Sequence, residues 1–324
     1  MQLTEWLLEN SAALNLKADK YTWVNEWLPG YFDYGVIISV SGKKYSGRGI
    51  DANEKIAFEK ASAEALERAA LGLSRLSMPW ATAAYPIFEG ACARAYYELL
   101  GIDRVFCHHF CRKRIKPVSL QETIGSLSGK ILENVLARNK IKLNLYELRP
   151  SSDAKVVCAI AYGTENRKLD GFITGFGADE SIEIAKLHAI VECARTAVVC
   201  LCTDYKPEEP IENLKARRNP RWHFWQTQTA ESMAHLCRHL LPKSGEEPQF
   251  KPESISIKDA SFIQIKTLAS IFPDIPLFFV QAHSDKLIEP QFGEFIGGAQ
   301  TMKRLEVFNG RPIQVDTLVP HFYG

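Results

Sequence analysis

SGRGIDANEKIAFEKASAEALERAALGL, from Ser46 to Leu73, is the stretch from which the fold can be read. It reads as the end of a strand, a Gly-x-Gly turn (Gly47, Gly49) and a long helix. Asp51 is the expected N-cap and Glu54 its reciprocal capping partner. The helix carries Glu64, Glu67 and Arg68, and Gly72 suits its C-terminal end.

The pattern returns at Ile173 to Val198, ITGFGADESIEIAKLHAIVECARTAV. There Gly175 and Gly177 stand for Gly47 and Gly49, Asp179 for Asp51, and Glu192 for Glu64, at a constant offset (192 − 64 = 128). A weaker third copy lies at Ala91 to Glu98. All three helices share Ala-x-x-basic-Ala-x-x-Glu: Ala57/Lys60/Ala61/Glu64, Ala91/Arg94/Ala95/Glu98 and Ala185/His188/Ala189/Glu192. Three surface helices with (i, i+4) ion pairs would account for this at only ~0.2–0.5 kcal/mol per pair. One Glu at the same point of three similar helices points beyond a solubility device alone.

Outward from these helices, the chain in order reads as follows. An amphipathic helix lies within residues 1–20, and strands run from Tyr34 to Val40 and Lys44 to Ser46 around a turn at Ser41-Gly42-Lys43. A second helix spans Phe88 to Leu100, interrupted by Gly101, and another covers Ser126 to Asn139. Strands at Lys142–Leu148, Lys155–Tyr162 and Leu169–Thr174 precede the second Gly-x-Gly helix, so a ββα unit occurs twice. Asp204 to Pro220 reads as a charged surface excursion, Trp222 to Leu241 and Phe262 to Ile271 as helices, and Pro276 to Ala282 as a strand whose partners lie near the end. The expected class is α/β, an α+β sandwich of duplicated ββα units with mixed sheets packed with helices. One domain over residues 1–324 is expected, with repeats at 34–73 and 155–198 and a looser part at 222–324.

Composition narrows the function classes. A net charge of +1 gives no broad field for nucleic acid or membrane, and 46% hydrophobic residues allow a substantial core. There is no N-terminal apolar segment of the secretory kind and no apolar run near 18 residues, and the eight cysteines follow no disulfide framework. A reducing cytoplasm is the expected location.

With the residues in hand, the chain resembles the YcaO family. That family's signature is a GKG turn, a helix ending in Ser-Ala-x-x-Glu-x-x-Glu-Arg, a second Glu helix, and a later GFGAH turn before a Glu-x-x-Gln helix. Gly47-Arg48-Gly49, Glu64/Glu67/Arg68, Glu98, and Gly175-Phe176-Gly177-Ala178-Asp179 with Glu192 match it, from about Trp23 to Val199. The resemblance implies ATP-dependent activation of a peptide backbone amide, giving thioamides, azolines or amidines. It implies ATP and Mg²⁺ as cofactors, with Lys60, Glu64, Glu67, Arg68, Glu98, Glu192 and Arg195 around the nucleotide and Glu64, Glu67 and Glu192 on the metal. Mg²⁺ prefers such oxygen ligands, guanidinium suits phosphate, and helix N-termini after Gly-x-Gly turns suit anions. A peptide or protein substrate is implied, along with a leader-peptide-binding or sulfur-donor partner protein and a homodimer. No residue is singled out as the catalytic nucleophile.

Departures from the signature keep a second reading open. Lys60 stands where Ser is usual, Gly101-Ile102 where Glu-Arg is common, Arg195 for Gln, and Ala197 for an occasional Arg. The first two Glu helices are also close together (98 − 64 = 34), where better-known members carry a long insertion. The ending VDTLVPHFYG has only Pro320, unlike the proline-rich tail of azoline-forming members. Lys60, Arg94 and His188, each four residues before a Glu, could quench the carboxylates and partly replace the metal. In the opposite view Lys60, Arg68 and Arg195 hold the triphosphate. The alternative function is therefore a non-catalytic scaffold or peptide-binding subunit of a maturation complex.

Other clusters read as structural. Cys107-His108-His109-Phe110-Cys111, with Cys200 and Cys202, lacks a standard zinc spacing and reads as a buried helix end. His235 and His239 read as surface histidines, and Arg112–Lys116 and Lys215–Arg221 as solvated faces. Trp222, Phe224 and Trp225 read as core or partner contacts.

Overall fold

The computed structural model describes the chain except residues 1, 23–27, 75, 77–80, 121–122, 125–126, 139, 165–170, 203–212, 214–219, 291–294, 296 and 316–324. Its elements begin with α1 (Leu3–Glu9), β1 (Lys17–Tyr21), β2 (Phe32–Val40), β3 (Lys43–Asp51) and α2 (Glu54–Leu73). Next come β4 (Thr82–Tyr85), α3 (Phe88–Phe110), β5 (Lys116–Val118), β6 (Thr123–Ile124), β7 (Leu127–Ser128) and α4 (Gly129–Arg138). The second repeat follows as β8 (Ile141–Leu148), β9 (Lys155–Gly163), β10 (Phe172–Asp179) and α5 (Ile182–Cys202). Last are α6 (Pro220–Thr227), α7 (Ala230–His239), β11 (Ser261–Gln264), β12 (Phe278–His283) and α8 (Ala299–Asn309). None of the described helices is long and apolar enough to cross a membrane.

The chain divides into two compact units, Met1–Glu98 with Ala260–His283, and Leu99–Asp259 with Ser284–Gly324. Each holds one of the two strong repeats. In the first unit the sheets are ordered β1-β2-β3 and β11-β12-β4, and in the second the main sheet is β10-β9-β8-β5. The α/β expectation with its duplicated ββα unit holds. All the ladders described between these strands are antiparallel rather than mixed, and within each repeat successive strands are neighbours that reverse direction. The β2–β3 reversal needs only Ser41 and Gly42, both left-handed at φ 51° and 78°.

The Gly-x-Gly segments are not turns. Gly47 and Gly49 lie inside β3, Gly175 and Gly177 inside β10, with both residues of each pair on the face that meets the following helix. A Cβ on Gly47 would come within 2.2 Å of the Ala61 carbonyl, and one on Gly49 within 2.1 Å of the Ala57 carbonyl. In the other unit the same atoms would meet Ala189 and Ala185 carbonyls at 2.4 and 2.1 Å. Glycine on the strand and alanine on the helix therefore serve one purpose, direct backbone-to-backbone packing. Alongside these contacts α2 buries Leu66, Ala69 and Ala70 in a core with Trp6, Leu7, Val36, Ile38 and Phe279.

Several boundaries differ from expectation. The N-cap of α2 is Asn53, whose side chain accepts the Ile56 amide. Asp51 lies at the end of β3, where it accepts the Asn53 amide and pairs with Lys60. Glu54 instead takes the Lys20 amine and the Tyr34 hydroxyl. Gly72 lies within the helix, beside the Tyr45 ring, and Gly101 does not interrupt α3, where burial of Leu99, Leu100, Ile102, Val105 and Phe106 outweighs the low propensity of one glycine. Phe262 to Ile271 opens as strand β11, since its β-branched and aromatic residues pair with β12 more readily than they form a helix. Among the described residues the C-terminal part supplies helix α8, and β12 pairs with β11 and β4. The helical run from Trp222 is broken into α6 and α7 by Thr229, the N-cap of the second. Residues 204–212 and 214–219 of the excursion and the side chains of Cys200, Cys202 and Trp222 lie outside the described residues.

In the second unit, Cys107, His108, His109 and Phe110 form the buried end of α3, as expected. His108 is fixed as one tautomer: Nε2 accepts the Arg149 amide at 3.0 Å, and Nδ1–H donates to the Lys113 carbonyl at 3.0 Å. One turn earlier, buried Asp103 accepts Arg304 at 2.9 and 2.7 Å and the Ile288 amide at 2.9 Å. Burial alone would raise the Asp103 carboxyl, but the charges of Arg304 and Arg104 hold it below its ordinary value. Glu253 closes this network on Arg304 at 2.8 Å and Arg104 at 3.0 Å.

Two predictions follow from this packing. Gly47→Ala is expected to lower stability by about 3 kcal/mol, because the new methyl meets helix backbone that cannot rotate away; thermal or urea unfolding measures it. Burial lowers the His108 pKa from 6.5 to about 3. The unfolded chain therefore binds a proton there that the folded chain refuses, and stability is full above pH 6.5 and falls as pH drops toward 3. His108→Gln, unfolded in urea across that range, is expected to be less stable at pH 7 but less acid-sensitive, by up to about 1.4 kcal/mol per pH unit.

Candidate functional site

β3, β10 and β4 are each the last strand of a sheet, so each turns unpaired amides away from its neighbour. A glutamate answers one amide in every case. The Arg48 amide donates to Glu64 Oε2 at 2.7 Å, the Phe176 amide to Glu192 Oε2 at 2.5 Å, and the Thr82 amide to Glu98 Oε2 at 3.0 Å. The donor lies 16 residues before its acceptor all three times. The third copy thus includes a strand residue that the sequence reading missed. Its mark was available: Ala81-Thr82-Ala83 replaces Gly-x-Gly, with small residues on both sides of the donor.

The remaining carboxylate oxygens differ. Arg68 donates to Glu64 Oε1 at 2.6 Å and to the Ser46 carbonyl at 2.7 Å, from an exposed position where such a pair adds little stability. Glu67, half-buried one turn along α2, accepts the Thr82 hydroxyl at 2.7 Å and the Ala84 amide. Loss of solvent around its carboxyl, with a smaller contribution from the Glu64 charge, pushes the Glu67 pKa up to about 7.

The first unit holds a cavity of about 630 Å³ lined by Glu59, Lys60, Glu64, Glu67, Tyr85 and Arg94, with apolar walls that include Ile56 and Leu277. The expectation that basic residues quench the carboxylates fails for two of its three members. Lys60 pairs with Asp51 at 2.6 Å, and Arg94 lies over the Tyr85 ring at 4.6 Å. An (i, i+4) neighbour does meet Glu64, but it is Arg68 from the C-terminal side.

Of the sequence-derived residues, Lys60, Glu64 and Glu67 therefore share one cavity wall, Arg68 is tied to Glu64, and Glu98 joins Glu67 through Thr82. Glu192 and Arg195 lie on α5 in the other unit. Among the described residues, no group of three or more His, Cys, Asp or Glu side chains is disposed to hold a metal ion. Two carboxylates fit Mg²⁺ nonetheless, since that ion keeps much of its shell for water and phosphate oxygens and rarely takes an all-protein cage. Glu67 in particular is poorly solvated beside another acid, an environment that a cation relieves.

The fold is YcaO-like. It is similar to YcaO from Methanopyrus kandleri, solved bound with AMPPCP and Mg²⁺, at a TM-score of 0.59 and 13% identity over 92% of this chain and 96% of that one. It is similar to a heterocyclase solved in complex with substrate and cofactor, at 0.64 and 14% identity, over 97% of this chain but 56% of the heterocyclase. A chain of the E. coli microcin synthetase McbBCD complex matches at 0.53 and 10% identity, over 87% of this chain and 93% of its own length. No family model matches the sequence, and neither does any curated protein.

The repeated glutamate bond makes its own prediction. Glu192→Ala leaves the Phe176 amide without its carboxylate and is expected to cost about 1–3 kcal/mol. Glu192→Gln keeps an acceptor oxygen and should cost clearly less. Equal losses in urea unfolding would mean that the carboxylate does not hold the strand edge.

Proposed function

We propose that this YcaO-like chain uses ATP and Mg²⁺ to activate a backbone amide in a peptide or protein substrate, leading to a thioamide, azoline or amidine. The observation that carries the reading is the first unit's cavity, where Glu64 and Glu67 face the same space as Lys60 and Arg94 without being neutralised by them. The similar YcaO was solved with AMPPCP and Mg²⁺, and a similar heterocyclase with substrate and cofactor. The microcin synthetase complex was also solved with pro-MccB17 bound, which supports a peptide substrate and partner proteins for this chain.

Bound Mg-ATP supplies the phosphoryl group that turns an amide oxygen into a leaving group. In this reading Glu67 and Glu64 would hold the metal, and Lys60, Arg68 and Arg94 would offer cations to phosphate oxygens. To meet a phosphate, Lys60 would exchange the Asp51 carboxylate and Arg94 the Tyr85 ring face, partners less demanding than a buried ion pair. Ile56, Ala63, Pro276 and Leu277 keep water from one wall. The repeat extends the same ligand chemistry to Glu192 and Arg195. A cytoplasmic setting, with its supply of ATP, suits this activity.

A non-catalytic role as a scaffold or peptide-binding subunit is the second reading. It is favoured by Glu64, whose two oxygens are already engaged by the Arg48 amide and Arg68.

Calorimetric titration with Mg²⁺ and a non-hydrolysable ATP analogue separates the two. The amide-activating reading expects binding by the wild type and its loss in Glu67→Gln. Because Glu67 has a pKa of about 7 and must give up its proton to a cation, affinity is expected to rise as pH increases through 7 and to level off above. Proton release, read from buffers of different ionisation enthalpy, should accompany binding below that plateau. A folded wild type that binds no nucleotide leaves only the scaffold reading.

A further inference from the structure

We infer that Thr82, itself anchored by its amide bond to Glu98, is a positioning residue that aims the Glu67 carboxylate for a divalent cation. The inference rests on the Mg²⁺ and nucleotide reading above. Thr82 opens β4, is buried, and is held in register opposite Gln281 of β12. Its hydroxyl donates to Glu67 Oε1 at 2.7 Å, and its amide donates to Glu98 Oε2 at 3.0 Å. One residue thus joins an acid from α2 to an acid from α3, two helices separated in sequence by the whole of β4.

The comparison among repeats makes the hydroxyl informative. At the equivalent place, Arg48 and Phe176 also give their amides to a glutamate, so the amide bond alone is enough for the strand edge. Thr82 differs in aiming a neutral hydroxyl at a second carboxylate. The Arg48 side chain also meets one, buried Asp33 at 2.9 Å from Nε, but as a cation that pairs with its charge. A β-branched residue on a paired strand has little freedom at χ1, so the direction of its hydroxyl is fixed before any ligand arrives. A neutral hydroxyl orients one carboxylate oxygen without cancelling its charge, and the other lone pairs stay available to a cation. The Ala84 amide, on the same strand and beside the cavity, holds Glu67 from a second direction. Outer partners of this kind govern how well a metal ligand is aimed.

The test uses the full chain, Mg²⁺ titrated calorimetrically at a saturating concentration of a non-hydrolysable ATP analogue, and the variants Thr82→Val and Thr82→Ser. Valine keeps the shape and the amide bond to Glu98, and serine keeps the hydroxyl. Thr82→Val is expected to need about tenfold more Mg²⁺, while Thr82→Ser stays close to wild type. Should valine prevent folding, Thr82→Ala carries the same comparison. Equal Mg²⁺ demand in wild type and Thr82→Val overturns the inference and leaves the ATP reading standing. A loss in Thr82→Val that serine does not restore also overturns it. A folded wild type that binds no Mg-nucleotide overturns both.

Discussion

A helix can lie against a strand at backbone distance only if neither surface carries a side chain at the contact, and that condition governs this protein. Gly47 and Gly49 meet the Ala57 and Ala61 backbone in one unit, and Gly175 and Gly177 meet Ala185 and Ala189 in the other. Close approach then brings a helix side chain within reach of the strand edge. The glutamate one turn beyond the second alanine takes an amide that the sheet leaves unpaired. Packing and polar satisfaction are therefore a single device, and removing either part exposes the other.

Such a device has chemical consequences because it places carboxylates at fixed depth and orientation. Glu64 and Glu192 each commit an oxygen to the backbone, which leaves a limited share of their acidity for anything else. Glu67 is different. It has hydrogen bonds from Thr82 and Ala84, no ion pair among the described residues, and a carboxyl that solvent reaches poorly. A rigid carboxylate frame with one under-compensated member is a reasonable starting point for cation chemistry. Lys60 and Arg94, anchored on Asp51 and Tyr85, supply positive charge without closing that member off.

Much of this was legible in the sequence, for physical reasons. The constant offset between the repeats and the recurring alanines gave away the ββα duplication, because backbone contact leaves no freedom in either. The same glycines misled as to local geometry: glycine marks turns and close approach alike, and only the partner alanines distinguish the two. The third strand went unread because alanine at 81 and 83 carries no turn signal. Hydrogen-bond partners were harder still. Lys60 sits four residues before Glu64 on the helix, but its flexible stem reaches the strand-end Asp51 instead. Segments of mixed pattern fared worst, as with Phe262 to Gln264, where pairing to β12 decides what propensity leaves open.

The link between β3 and α2 is only Ala52 and Asn53, and Asn53 already caps the helix. Helix phase is therefore locked to strand register. One residue added to the link would turn every position of α2 by roughly 100° about its axis. Ala57 and Ala61 would leave the glycines, bulkier side chains would take their place, and Glu64 would point away from the Arg48 amide. Length in this connection is as constrained as residue identity in the core, so relatives of this chain should vary around the link and not within it.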